Sequence, residues 1–237
     1  MCGRYTLISS ISELQGRFGF VMDSPPPEPR YNVAPTQQVL TVINDGIVQS
    51  NGGARQGEMM RWGLVPSWAK DIKIGSRMIN AVSETAAARP AFRNAFRRRR
   101  CLVLADGFYE WRREGKQREP AYFFQKSGEP MAFAGLWESW QSPEGQWIRS
   151  CAILTTTANS LVEPVHSRMP VILSAETEPL WLDPLTESAA ILEPLLLPAP
   201  DEMLDVREVS PTVNNVRNDN PECLAPAASP QEVRLFS

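Results

Sequence analysis

Between residues 101 and 159 the chain passes through CLVLADGFYEW, AYFFQ, MAFAGLWESW and CAILTTTAN, four stretches of alternating or continuous apolar pattern. Such runs read as half-buried or fully buried strands. VLTVIN (39–44) and MMRWGLVP (59–66) add two more, joined by the Gly-rich NDGIVQSNGGARQG. Helical signals are few. One lies within residues 4–20, where Ser12 and Glu13 are placed to open a helix. A second is SETAAARPAF, with Ser83 as its candidate cap. The third, 175–197, is broken by Pro184 and Pro194. SPPPEPR (24–30) is an extended connector, too short for a domain linker. Many short strands, few helices and no regular βαβ alternation predict an α+β single domain. Its centre is a strongly curved, barrel-like, mainly antiparallel sheet with a few flanking helices.

A chain of 237 residues is long enough for one large domain with a substantial core. No apolar run approaches the ~18 residues that would span a bilayer, and the N-terminus lacks a basic-then-apolar signal pattern. An intracellular, cytoplasmic protein with no membrane partner is expected. The four cysteines, Cys2, Cys101, Cys151 and Cys223, are scattered, and His166 is the single histidine. Free thiols are expected, with no disulfide framework, no metal site and no cofactor. Cys101 and Cys151 sit inside apolar runs and read as core. The formal net charge is −3, yet residues 61–120 hold 14 Lys and Arg against 6 Asp and Glu. The basic charge is thus concentrated in one central segment between acidic flanks. The run Arg97 to Arg100 taken alone reads as a solvated face.

Cys2 follows the initiator directly. Removal of Met1 would leave an α-amine of pKa near ~8 and a thiol near ~8.5 on one residue. A 1,2-aminothiol condenses with aldehydes: the amine forms an imine and the thiol closes on it as a thiazolidine. The competing reading is a frayed terminus. Three further segments set polar groups within apolar surroundings. In MINAVSET, Asn80 follows Met78 and Ile79. In LADGFYEW, Glu110 stands between Tyr109 and Trp111, where desolvation would raise its pKa. In EPVHSRMPVIL, His166 precedes Arg168 and another strand. Each also has a structural reading: Asn80 as a turn cap, Glu110 paired with an arginine, His166 as a satisfied side chain.

MCGRY, YNVAPTQ, MRWGLVPSW, INAVSET, CLVLADGFYEW, HSRMPVIL and VNNVRNDNPECL occur in this order. The set resembles the SOS response-associated peptidase (SRAP) family, over residues 2–226, with 227–237 expected as a tail without order of its own. The resemblance implies a protein that senses abasic (AP) sites in single-stranded DNA. Cys2 would form the thiazolidine crosslink, assisted by Asn80, Glu110 and His166 as catalytic residues, with AP-lyase chemistry alongside. It implies DNA contacts by Arg4, Asn32, Pro35, Trp62, Pro66, Trp68, Arg77, Thr155 and Arg168, with the tryptophans and Pro66 forming a stacking ridge. A monomer is expected. One position departs from the pattern: Val82 stands where the family usually carries arginine. The alternatives are a cysteine peptidase, acting on peptides or only on its own Met1, and a non-covalent reader of single-stranded DNA or modified bases.

Overall fold

The computed structural model describes residues 2–44, 55–114 and 117–227. Met1, most of the Gly-rich connection after Asn44, and the tail from 228 on lie outside the described residues. In chain order the first elements are β1 (Tyr5–Leu7), α1 (Ile11–Phe18), β2 (Phe20–Val21), β3 (Arg30–Val33), β4 (Gln38–Ile43), β5 (Arg55–Trp62), β6 (Asn80–Val82), α2 (Ser83–Ala86) and α3 (Arg93–Arg98). Five long strands and their successors follow: β7 (Arg100–Ala105), β8 (Gly107–Glu114), β9 (Gln117–Gln125), β10 (Met131–Gln141), β11 (Trp147–Thr157), β12 (Arg168–Pro170) and β13 (Ile172–Leu173). Helices α4 (Glu178–Leu182) and α5 (Ala189–Leu192) and strand β14 (Leu204–Glu208) complete the set.

The curvature expected from the strand pattern is a closed barrel. Strands β11, β10, β7, β4 and β5 follow one another by antiparallel pairing. A parallel seam between β11 and β5, with Ser150 opposite Arg61 and Cys151 opposite Trp62, shuts the ring. Closure leaves these strands few open edges. A second sheet, in the order β14-β9-β8-β1-β3, packs beside it and is antiparallel throughout. The apolar runs fill the space between: every residue of β7 is buried. Phe108 stacks on Phe123 and meets Phe133 edge-on. Arg100 is buried without a carboxylate partner because its guanidinium donates to the carbonyls of Phe96, Arg97, Trp181 and Asp183. It thereby ties the end of α3 to α4.

Two helix starts differ from expectation. The cap of α1 is Ser10, not Ser12. Its hydroxyl receives the Glu13 amide while the Glu13 carboxylate receives the Ser10 amide, a reciprocal pair that Ser12 could not form with its neighbour. Ser83 lies inside α2, and its hydroxyl donates to Glu84.

The loop from β5 to β6 folds back on itself through two glycines. Gly63 holds φ +124, and a Cβ placed on it would lie 2.6 Å from the Gly75 carbonyl oxygen. Alanine at this point meets backbone on one side and an unfavourable dihedral on the other, so Gly63→Ala should cost about 2–4 kcal/mol. Thermal unfolding should show the Tm falling by roughly 5–15 °C. Gly16 of α1 has nothing within 4 Å of such a Cβ, and Gly16→Ala should leave the Tm level or raise it. Equal Tm values for the two variants would contradict this account of the loop.

Candidate active site

Antiparallel register carries Glu110 to the N-terminal segment. Tyr5 pairs with Phe108 and Thr6 with Gly107, and the Tyr109 amide donates to the Arg4 carbonyl at 3.0 Å. Each step back along the N-terminus is one step forward on β8, so Cys2 arrives beside Glu110 and Trp111. The third member comes from the barrel. Asn80 opens β6, which lies parallel to β11 with Asn80 opposite Ile153. From there its Nδ2 donates to the Cys2 carbonyl oxygen at 2.8 Å. The Asn80 Oδ1 is buried and accepts nothing among the described residues. Cys2, Asn80 and Glu110 are therefore one cluster, built from two sheets and the loop that joins β5 to β6.

Burial sets the electrostatics of this cluster. Cys2 has no accessible surface. Burial first, and the Glu110 charge second, push its thiol well above the ordinary range, so the sulfur keeps its proton at neutral pH. Glu110 is only 4% exposed, and desolvation pushes its carboxyl up to about 7. That value lets it give or take a proton near neutrality.

His166 and Arg168 belong to the opposite edge of β11. Strand β12 pairs there, with Arg168 opposite Thr157 and Pro170 opposite Thr155, while β6 occupies the other edge with Val82 opposite Thr155. His166 Nδ1 lies 3.0 Å from the Arg168 amide and 3.1 Å from the Arg168 carbonyl, so it accepts from the one or donates to the other according to its tautomer. The Arg168 guanidinium is bound in a fork by Glu84, at 2.6 and 2.8 Å, and donates also to the Thr155 carbonyl. Thr155 is fully buried, and its hydroxyl has no partner among the described residues.

The remaining expected contacts divide by exposure. Trp68 is 60% exposed and lines a cavity of about 550 Å³ with Lys70, Lys73, Ile74 and exposed Arg77. Trp62 has no accessible surface. Its indole donates to the Ile79 carbonyl and packs on Tyr5, 5.3 Å between rings. An indole so placed presents no face to a ligand, so of the two tryptophans only Trp68 is open to solvent, and Trp62 and Pro66 are buried. Asn32 is likewise fully buried. Its amide donates to the carbonyls of Val213, Asn215 and Asn218, and its oxygen accepts from Arg4 at 2.7 Å. Arg4 also donates to the Val213 carbonyl and lies over Trp111. Both residues fasten the C-terminal segment, as does Asp219, which accepts from Arg30 and from the amides of Tyr31 and Asn32. Half-buried Pro35 lies on the same strip of chain, next to Thr36. That β-branched residue is held at φ +72, a dihedral normally left to glycine. Sequence reasoning assigned no role to Glu84 or Asp219, although INAVSET and VNNVRNDNPECL contain them.

The profile of the SOS response associated peptidase family matches residues 1–216. The chain belongs to this family. Among SRAP relatives, abasic site processing protein YoqW of Bacillus subtilis (strain 168) is 44% identical over 227 residues, 94% of this chain and 99% of that protein. Abasic site processing protein HMCES of Rattus norvegicus is 37% identical, over 71% of this chain and 56% of its own. A crystal structure of a Bacteroides thetaiotaomicron protein superposes with a TM-score of 0.85 at 25% identity, covering 96% of this chain and all of that one. Among the described residues of this SRAP chain, no helix is long and apolar enough to cross a membrane.

The raised Glu110 carboxyl has a consequence for stability. The folded chain keeps this proton up to about pH 7, while the unfolded chain releases it near 4.5. Between these values the folded state binds more protons, so stability falls as pH rises through the window and is level above it. Glu110→Gln should remove that decline. The variant should match the wild type below about pH 4.5 and exceed it above pH 7, by up to about 3 kcal/mol. Urea unfolding at both ends of the window measures this, and parallel pH profiles would contradict it.

Proposed function

We propose that the protein captures the ring-opened aldehyde of an AP site in single-stranded DNA as a thiazolidine through Cys2, once Met1 has been removed. The observation that carries this reading is the Cys2–Asn80–Glu110 cluster, in which an asparagine grips the Cys2 backbone and a near-neutral carboxyl faces its thiol. The names of YoqW and HMCES, both abasic site processing proteins, point to the same lesion.

Each group has a task that its environment suits. The α-amine attacks C1′ only when neutral. Asn80 can accept an N–H of that amine on its unoccupied Oδ1 without adding charge. Glu110, as carboxylate, takes the proton from the sugar hydroxyl as the ring opens, and His166 is the donor to the ring oxygen. Loss of water from the carbinolamine gives the imine. The Cys2 S–H then adds across the C=N bond, sulfur to carbon and proton to nitrogen. Because burial keeps the thiol protonated, it needs Glu110 as its base. The same imine also permits β-elimination, the lyase reaction. A peptidase thiol is served by a lowered pKa, and this environment does the reverse.

Bases on either side of the lesion stack on Trp68, and phosphates meet Arg77 and Arg168. Pro35 borders the groove, and buried Thr155 supports Arg168 from below through its carbonyl. Arg4, Asn32, Trp62 and Pro66 act from beneath this surface.

A denaturing gel of Met1-trimmed protein with AP-site single-stranded DNA tests the proposal. A heat-stable shifted band should form, vanish in Cys2→Ala, and form at least tenfold more slowly in Glu110→Gln, since general acid–base assistance is worth about 10²–10⁴. A band that persists in Cys2→Ala would overturn it. Val82→Arg should restore one phosphate contact, tightening binding and steepening the logarithmic salt slope by about 0.7. An unchanged slope would refute that assignment.

A further inference from the structure

Resting on the reading of Arg168 as a phosphate contact, we infer that Glu84 is a built-in competitor of DNA, a carboxylate that occupies the Arg168 guanidinium until a phosphodiester displaces it. The geometry is that of the ligand it would mimic. Two carboxylate oxygens meet two guanidinium nitrogens at 2.6 and 2.8 Å, the same planar fork by which arginine holds phosphate. The Arg168 side chain is 20% exposed and that of Glu84 48%. The carboxylate is therefore on the solvent side of the pair, in the direction from which DNA arrives. Arg168 is anchored from below by the Thr155 carbonyl. That contact and the burial of most of the side chain keep the guanidinium in place when Glu84 swings out. The arginine holds the Glu84 carboxyl down to about 2, so the competitor is charged at every physiological pH.

Position 82 gives the pair its weight. Val82 lies opposite Thr155, two residues ahead of Glu84, and brings no charge. Arg168 and Glu84 therefore cancel at this corner. Phosphate binding at Arg168 exchanges one anion for another: the cation released from the strand is offset by the carboxylate set free in the strand's field. Affinity for undamaged single strands is held down, and residence depends on the covalent step at Cys2. Glu84 is thus a specificity-determining residue: it weakens every non-covalent encounter and takes no part in the bond-forming steps at Cys2.

The test is binding of the full chain to a fluorescent single-stranded oligothymidylate without an AP site, across a salt series. Glu84→Gln should bind roughly two- to fivefold tighter at low salt, the range expected of a partly exposed ion pair. Its logarithmic salt slope should steepen by about 0.7, one counterion on a single strand. In an Arg168→Gln background the same substitution should have no effect. Glu84→Ala should behave as Glu84→Gln, and thermal unfolding confirms that each variant is folded. Weaker binding by Glu84→Gln would mean that Glu84 holds Arg168 ready for DNA, and would overturn the inference. An equal gain in the Arg168→Gln background would also overturn it, as a general field effect. Wild type and Arg168→Gln binding alike would remove Arg168 as a phosphate contact, and the inference with it. Covalent capture is read separately, as the Cys2-dependent band on AP-site DNA, so its failure is distinguishable from these.

Discussion

Strand β11 is the constraint on which the site depends. It is eleven residues long, and buried backbone amides and carbonyls must find partners along its length. Four strands supply them: β10 then β12 on one edge, β5 then β6 on the other. The changeover on each edge falls near residues 152–155. Below it the partners close the barrel; above it they carry Asn80 on one side and Arg168 on the other. A break in β11 would therefore open the barrel and scatter the site together. Cys2 packs in the barrel's apolar core, and an amide hydrogen bond from Asn80 to the Cys2 carbonyl fixes its backbone from the barrel side. The β1–β8 ladder must hold the N-terminal segment in register for that bond to form.

The cluster gives up stability for its chemistry. Among the described residues, the Thr155 hydroxyl, the Asn80 oxygen and the Tyr5 hydroxyl are buried without hydrogen-bond partners, each at a cost of about 1–3 kcal/mol. Tyr5 lies close enough to Cys2 that a charge on that sulfur would act on its hydroxyl. Burial raises both Glu110 and the Cys2 thiol, yet the two effects serve different ends. A carboxyl moved toward neutrality becomes a usable acid and base, whereas a thiol moved upward becomes inert until a base reaches it. In the proposed reaction the thiol is thus conditional on Glu110 and on the amine that attacks first, which orders bond formation as nitrogen before sulfur.

The two sheets were legible in the sequence because their longest strands, β7 to β11, are apolar and close together, from Arg100 to Thr157. The Cys2, Asn80 and Glu110 segments stood out as polar breaks in such runs. Their meeting did not, since Asn80 is 78 residues from Cys2 and no periodicity encodes that register. Exposure was the weakest inference. Trp62 and Trp68 look alike in MRWGLVPSW, but Trp62 ends a barrel strand and turns inward while Trp68 lies on the loop beyond Gly63. Asn32 and Arg4 look like surface polar residues. Their partners lie in the C-terminal segment, at Val213 and Asn218, and only tertiary structure reveals that the segment folds over them.

The basic central segment shows why charge must be placed before it is interpreted. Two carboxylates from outside the segment offset half of the charge of its densest run. Arg97 and Arg98 meet Glu187, Arg99 meets Glu138, and Arg100 is buried among carbonyls. The field of that run is therefore local, and it stabilises the junction of α3 with the C-terminal helices. The sparser cations around Trp68 are different. Lys70 and Arg77 have no carboxylate within 4 Å among the described residues, and Lys73 is only at the 4.0 Å limit from Asp71. Charges left unpaired beside an exposed indole attract an anionic polymer whose bases also stack. The loop bearing that indole ends at Asn80, the residue that grips Cys2. In the proposed complex a strand on Trp68 would be held by the same stretch of chain that positions Cys2, so docking and chemistry would share one connection, folded on itself at the Gly63–Gly75 contact.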